Sequence, residues 1–211
     1  MRTVILLARH AATDNNMRQP PTLQGSGIDA PISDEGRLQA EALGNALADR
    51  SIAAVYASPL RRARETAEAV AKPHGHEVTP IPDFREADLG DWEGLSWVEI
   101  SKRWPKEHEA FLADAENNSY LGGENMRNVC DRTLPALASI AQSHPEQTIV
   151  VVGHNVVNRV LLAEWMKIPL RFARKLTQNN AGYNVIEWRG DGFKVRTMNV
   201  ADHLSGLPSA D

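Results

Sequence analysis

Three features of the 211-residue sequence predict an α/β fold, a three-layer α/β/α sandwich around a mostly parallel central sheet. Short β-rich apolar runs alternate with amphipathic helical stretches along most of the chain, as in a sheet whose crossovers are helices. The runs at 3–8 and 148–152 are apolar at successive positions, as in strands covered on both faces. Polar and charged residues follow the runs directly: Arg9-His10, Ser58-Pro59-Leu60-Arg61-Arg62 and Gly153-His154-Asn155. Open parallel sheets bind ligands at these carboxyl ends.

The run at 3–8 is read as a buried strand. It is too short to span a membrane, and it stops at Arg9-His10 without the small-residue cleavage site of a signal peptide. Residues 11–32, rich in Asn, Pro, Gly and Asp, read as a loop. A helix begins at Ser33, a good N-cap, with Asp34 and Glu35 at the positive end of the helix dipole. Leu38, Ala42, Leu43, Ala46 and Leu47 form its apolar stripe. A strand at 52–56 precedes a second helix, with Ser58 as N-cap and Pro59 in the first turn, ending near Lys72 before Pro73 and Gly75. A third strand is expected at 77–81 and a loop at 83–95. Two short helices broken at Pro105 fill 96–116. Gly122-Gly123 mark a turn before a long helix over 124–143. After the strand at 148–152 come a helix over 155–166 and a hairpin, 183–188 and 193–198, around Arg189-Gly190-Asp191-Gly192. The small, polar tail from His203 is expected to be loosely held.

The length suits one domain carrying a modest insertion. A hydrophobic fraction of 42% and a charged fraction of 24% are those of an ordinary globule. The net charge of -4 gives no reason to invoke nucleic acid or an anionic membrane as partner. Cys130 is the single cysteine, which excludes an intrachain disulfide and a cysteine-based zinc site and points to a reducing, cytoplasmic location. Within a helical pattern, it reads as a small buried apolar residue.

Two histidines and an arginine cluster along one sheet edge suit a phosphoryl group. Arginine offers phosphate a planar fork of donors. A neutral imidazole can attack phosphorus, and a second can help neutralise the equatorial oxygens. Two arginines and two histidines supply the positive charge that a metal supplies elsewhere, so no metal or cofactor is called for. Taken singly, each feature has a plainer reading. A histidine after a strand is more often structural, and Arg61, Arg62 and Arg64 with Glu65 and Glu68 form an ordinary solvated helix face. The coincidence of all three motifs at strand ends points to chemistry.

At these residues the sequence resembles the histidine phosphatase superfamily, also called the phosphoglycerate mutase-like family. Arg9-His10-Ala11-Ala12-Thr13-Asp14-Asn15-Asn16 is similar to its opening motif, with Ala11 in place of the usual Gly and Ala12 in place of the usual acidic or amide residue. Gln24-Gly25, Asp29-Ala30-Pro31-Ile32-Ser33, Glu35-Gly36 and Gln39-Ala40 resemble the family's loop and first helix. Ser58-Pro59-Leu60-Arg61-Arg62-Ala63-Arg64-Glu65-Thr66-Ala67 resembles the motif carrying the second phosphate arginine, which falls on Arg62. Arg85-Glu86 with Gly90, Trp92, Glu93 and Gly94 resembles the segment of the acid/base carboxylate, which falls on Glu86. Gly122-Gly123-Glu124 and Val150-Val151-Val152-Gly153-His154 complete a match spanning residues 3 to 202.

The resemblance implies a single domain over residues 1–211 with a helical cap at 92–125. It implies a metal-independent phosphatase acting on a small phosphorylated metabolite through a phosphohistidine. His10 would be the nucleophile and Glu86 the acid/base. Arg9, Arg62 and His154 would hold the phosphoryl group, with Asn16, Gln24, Gly25 and Asn155 as further substrate contacts. Asn180 would approach the site, and a homodimer is the expectation from family analogy. Phosphoserine, phosphoglycerate-type and sugar phosphates remain open as substrates. The alternatives are phosphoglycerate mutase-type phosphoryl transfer, disfavoured by the short middle segment, a non-catalytic phospho-ligand module, and a metal-dependent hydrolase with His10 and His154 as ligands. Trp97, Trp104 and Phe111 are read as packing, whereas Trp92 is left between packing and the substrate entrance. Lys102, Arg103 and Lys106 read as a solvated face.

Overall fold

In the computed structural model, which describes residues 2–207, the strands are β1 (Thr3–Arg9), β2 (Ala54–Ala57), β3 (Val78–Pro80), β4 (Thr148–Gly153), β5 (Tyr183–Trp188) and β6 (Phe193–Val200). The helices are α1 (Asp14–Met17), α2 (Asp34–Leu47), α3 (Arg61–Ala71), α4 (Trp97–Arg103), α5 (Pro105–Ala113), α6 (Met126–Gln142) and α7 (Asn155–Trp165). Among the described residues the strands form one six-stranded sheet in the order β3-β2-β4-β1-β5-β6. The first four are parallel, and the β5–β6 hairpin adds two antiparallel strands at one side.

The side-chain alternation of the central strands creates the layers. Ile5 and Leu7 of β1 with Ile149 and Val151 of β4 face α6 and α7 and a cluster of Phe84, Trp92 and Phe111. Leu6, Ala8, Val150 and Val152 face the other way, onto α2 and α3. Both sets are fully buried, which explains the unbroken apolar runs. Each buried Ile, Leu and Val among them stabilises the fold by about 1.5–3 kcal/mol.

Ser33 caps α2 by accepting from the Gly36 amide at 3.0 Å, with Asp34 and Glu35 in the first turn. Ser58 does not cap α3. That helix starts two residues later than expected, with Leu60 at its N-cap, and the Ser58 hydroxyl turns towards His154. The loop over 11–32 contains one turn of helix, α1, closed by reciprocal bonds between Thr13 and Asn16. The aromatic cluster decides the question left open for Trp92. Trp92 is fully buried, packed edge-on against Trp97, Phe111 and Tyr120; its indole belongs to the core and not to an entrance. The tail is not loose where it is described. Asp202–Leu204 form a 3-10 turn, Leu204 packs on the core, and His203 bonds the Ala181 carbonyl at 3.0 Å. Residues 208–211, the remainder of that tail, lie outside the described residues.

Gly36 is needed for the approach of α2 to the residues after β1. A Cβ there would stand 2.0 Å from the Ala12 carbonyl oxygen, which also accepts the Ser33 amide at 2.9 Å. Gly36→Ala should therefore lower stability by about 1–3 kcal/mol, read as a lower denaturant midpoint at constant slope. An unchanged midpoint would show that this contact gives way freely.

Candidate active site

The register of the parallel strands brings three sequence-distant ends together. Arg9 pairs with Gly153 across β1 and β4, and Ala57 with Val152 across β2 and β4. His10, Ser58 and His154 therefore emerge side by side. The His10 and His154 rings lie 5.2 Å apart between centroids, and both are buried.

The His10 Nδ1 lies 2.7 Å from the Ala11 carbonyl oxygen. A carbonyl can only accept, so Nδ1 carries the proton and Nε2 is left with its lone pair. The His154 Nε2 is 2.7 Å from the Ser58 hydroxyl, which also accepts the Leu60 amide at 3.3 Å. Burial, then the charges of Arg62 and Arg9, pushes the pKa of His10 well below the ordinary histidine value, against a smaller opposing effect of the Ala11 bond. His154 is lowered in the same way, by burial first and then by Arg62. Both rings are neutral at pH 7.

Arg62 is buried to 1% exposure on the first turn of α3. Its Nη1 and Nη2 donate to the carbonyls of Ile28 and Gly25, each at 2.8 Å. That loop is braced by Glu93, which accepts the Gly27 amide at 2.9 Å. Gly25 sits at φ +58, and a Cβ there would strike the Glu93 carboxylate at 2.2 Å. Arg9 donates to the Gln178 carbonyl.

Glu86 is buried and makes no ion pair with Arg85. Its Oε1 accepts the amides of Ala87 (3.0 Å) and Val157 (3.4 Å), and its Oε2 the amide of Val156 (3.2 Å). The carboxylate thus takes the place of an N-cap side chain at the start of α7, where His154 makes no side-chain cap and the helix dipole favours a negative group. Arg132 of α6 fixes this segment from behind. It donates to the carbonyls of Asp83, Arg85 and Glu86 and pairs with Glu124 at 2.8 Å. Glu124 in turn accepts the Asp88 amide.

A cavity of about 160 Å³ opens at these strand ends. Of the residues singled out from sequence, Arg9, His10, Asn16, Gln24, Gly25, Arg62, Glu86 and Asn155 line it. His154 packs against His10 without lining it. The Asn16 amide oxygen accepts from the Thr13 amide and hydroxyl, both at 3.0 Å, and from Gln24 at 3.4 Å. Asn180 donates to the His10 carbonyl at 3.0 Å, so it buttresses the backbone of the site.

Other residues of the site were not visible to sequence reasoning. Tyr120, Arg159 and Arg174 line the cavity, and Ser58, Glu93 and Arg132 hold its side chains in place. Trp97, read from sequence as packing, lines the cavity as well, because its ring packs on Trp92 with one side left to the site. The arginine periodicity of α6 and α7 carries no sign of which face meets a cavity. Lys102, Arg103 and Lys106 do not line it. Among the described residues, no three His, Cys, Asp or Glu side chains are grouped as a metal ion would require.

Comparison with known proteins agrees with this geometry. The family model of the histidine phosphatase superfamily (branch 1) matches residues 5–201. The chain belongs to that superfamily and is a phosphatase. Among curated proteins it is 31% identical to the uncharacterized phosphatase PhoE of Bacillus subtilis, covering 97% of this chain and 98% of that one. It is 32% identical to a metal-independent phosphoserine phosphatase of Arabidopsis thaliana, covering 97% of this chain and 84% of that one. Among solved structures, YhfR of Bacillus stearothermophilus superposes with a TM-score of 0.88 at 31% identity, covering 96% of this chain and 100% of that one.

Long-range 1H–15N spectra of the free protein at pH 6.5 should show both His10 and His154 as neutral rings, His10 with its proton on Nδ1. Half-charged signals from His10 would contradict the geometry. Because both rings bind protons more weakly in the folded than in the unfolded chain, their contribution lowers stability as pH falls below 6.5.

Proposed function

We propose that this phosphatase hydrolyses a small phosphomonoester without a metal, through a phosphohistidine formed on His10. One observation carries the reading: the bond from Nδ1 to Ala11 leaves the His10 Nε2 lone pair free in a cavity that also holds Arg9, Arg62 and Glu86.

In the first step Nε2 attacks phosphorus in line. A P–N bond forms, the ester P–O bond breaks, and the Glu86 carboxylate relays the acidic proton of the bound phosphomonoester monoanion to the leaving oxygen. In the second, Glu86 takes a proton from water as the water oxygen attacks the phosphohistidine; the P–N bond breaks, releasing phosphate and neutral His10. Arg9 and Arg62 hold the equatorial oxygens, and His154, oriented by Ser58, adds a donor as charge develops. Asn16, Gln24, Gly25 and Asn155 shape the phosphoryl end. The guanidiniums do the electrostatic work that a divalent ion does in other phosphoryl-transfer sites, which supports metal independence. The phosphoserine specificity named for the Arabidopsis relative supports a small, polar phosphomonoester. Residues 92–125 act as a cap on a single domain, closing the cavity with Trp97 and Tyr120. The lone, buried thiol of Cys130, its pKa pushed up to about 11 by burial, suits a reducing cytoplasm.

Hydrolysis of p-nitrophenyl phosphate, phosphoserine and 3-phosphoglycerate should persist in EDTA and vanish in His10→Ala, with 32P trapped on His10 of the wild type. Full activity in His10→Ala would sink the mechanism. Glu86→Gln should slow alkyl phosphates by about 100-fold or more while sparing p-nitrophenyl phosphate, whose leaving group needs little protonation. Equal losses for both would argue against Glu86 as the acid.

A further inference from the structure

Ser58 stands just past the end of β2, fully buried, with its backbone amide given to the Val152 carbonyl at 3.0 Å. Among the described residues its hydroxyl has two partners, the Leu60 amide at 3.3 Å and the His154 Nε2 at 2.7 Å. The Leu60 amide can only donate, so it occupies a lone pair of the hydroxyl oxygen. The His154 ring is fully buried as well, and its Nδ1 has no partner in the protein.

The ring is neutral, with one proton for two nitrogens. If that proton sat on Nε2, the ring would donate to Ser58. The hydroxyl oxygen would then accept twice, its own hydrogen would have no acceptor, and the Nδ1 lone pair would be buried without a donor. With the proton on Nδ1, the hydroxyl accepts from Leu60 and donates to Nε2, and the Nδ1–H group alone is left over. The first arrangement strands two buried polar groups and the second strands one. Each stranded group carries its full desolvation cost, so the second prevails.

We propose that Ser58 donates its hydroxyl proton to the His154 Nε2 and thereby makes Nδ1–H the donor that His154 presents to the transferring phosphoryl group. Ser58 does not line the cavity; it is a positioning residue that acts through His154. The assignment deepens the phosphohistidine reading and takes from it the identity of the anion. Both histidines then hold the same tautomer for opposite purposes. In His10 the Ala11 carbonyl takes the Nδ1 proton and leaves the Nε2 lone pair to attack. In His154 the serine takes the Nε2 lone pair and leaves the Nδ1 proton to give. The ring centroids are 5.2 Å apart, so a phosphoryl group on the first ring sets its oxygens beside the second. A carbonyl or carboxylate in place of Ser58 would draw the proton to Nε2 and turn a lone pair on the anion.

Long-range 1H–15N spectra of the wild type, titrated with inorganic phosphate, test the assignment. The free protein should show His154 as one tautomer protonated on Nδ1; a proton on Nε2 overturns the proposal. Saturating phosphate should move the His154 Nδ1–H signal downfield, and an unmoved signal while His10 responds overturns the donor role. In Ser58→Ala, His154 should lose its single tautomer while His10 keeps its own. The variant's kcat for p-nitrophenyl phosphate should fall by about tenfold or more, the weight of a hydrogen bond to a charged group, with a smaller change in KM. Ser58→Thr, which keeps the hydroxyl, should restore the tautomer and most of kcat. A Ser58→Ala protein that retains the Nδ1 tautomer or the wild-type kcat overturns the role of Ser58. The wild-type titration needs neither turnover nor a stable variant. The expected spectra in a protein that hydrolyses nothing would sink the phosphohistidine reading and leave the placement of the proton standing.

Discussion

The parallel pairing of β1 with β4, in the register that sets Arg9 against Gly153, is the constraint on which the rest of the site depends. A slip of one residue would turn Leu7 and Val151 from one layer to the other and would carry His10 away from His154. The register is pinned because each apolar side chain of both strands is packed into one layer or the other, so every alternative breaks the contacts of both layers. The precision of the active site is thus inherited from the hydrophobic alternation of the core.

Around that frame, the structure manages buried charge without pairing it off. Arg62 is held by two carbonyls and not by a carboxylate, so its charge is positioned while its field stays available to a substrate. Glu86 is satisfied by backbone amides at a helix start, which keeps a carboxylate beside two guanidiniums without collapsing onto either. A direct ion pair would have been the simpler way to bury these groups, and it would have left a neutral pocket. The supports are more remote. Glu93 braces the loop that holds Arg62, and the Arg132–Glu124 pair ties down the segment that presents Glu86.

Much of this was legible in the sequence, for reasons that can be named. The continuous apolar runs of β1 and β4 are a local signature of strands covered on both faces, and a parallel sheet then fixes where His10, Arg62 and His154 must appear. Ser33 and its acidic first turn announced α2 by chemistry internal to four residues. What was illegible depends on contacts across long separations. Ser58 has the composition of an N-cap, and the competing demand of His154, 96 residues away, decides otherwise. Arg159 and Arg174 look like ordinary surface cations until the packing of the Leu170–Lys175 segment on α7 turns them inward. Trp92 reads equally well as a wall or a core residue, because a large aromatic carries no sign of which side of a layer it will take; Phe111 and Tyr120 settle that.

The place of β1 in the sheet has a consequence for how the molecule comes into being. Its neighbours are β4 and β5, so Arg9 meets its partner Gly153 only after a further 144 residues have been made, which takes about 7–30 s at ordinary elongation speeds. Until then the Leu6-Leu7 stretch is an apolar strand with two open edges, dependent on whatever shields nascent chains. Sheets closed by such distant pairings assemble slowly, and here the pairing that brings the two histidines together has to wait until β4 has been made. During biosynthesis the chain is therefore devoid of its chemistry until the fold is nearly complete, and a partly made copy cannot act on the metabolites around it.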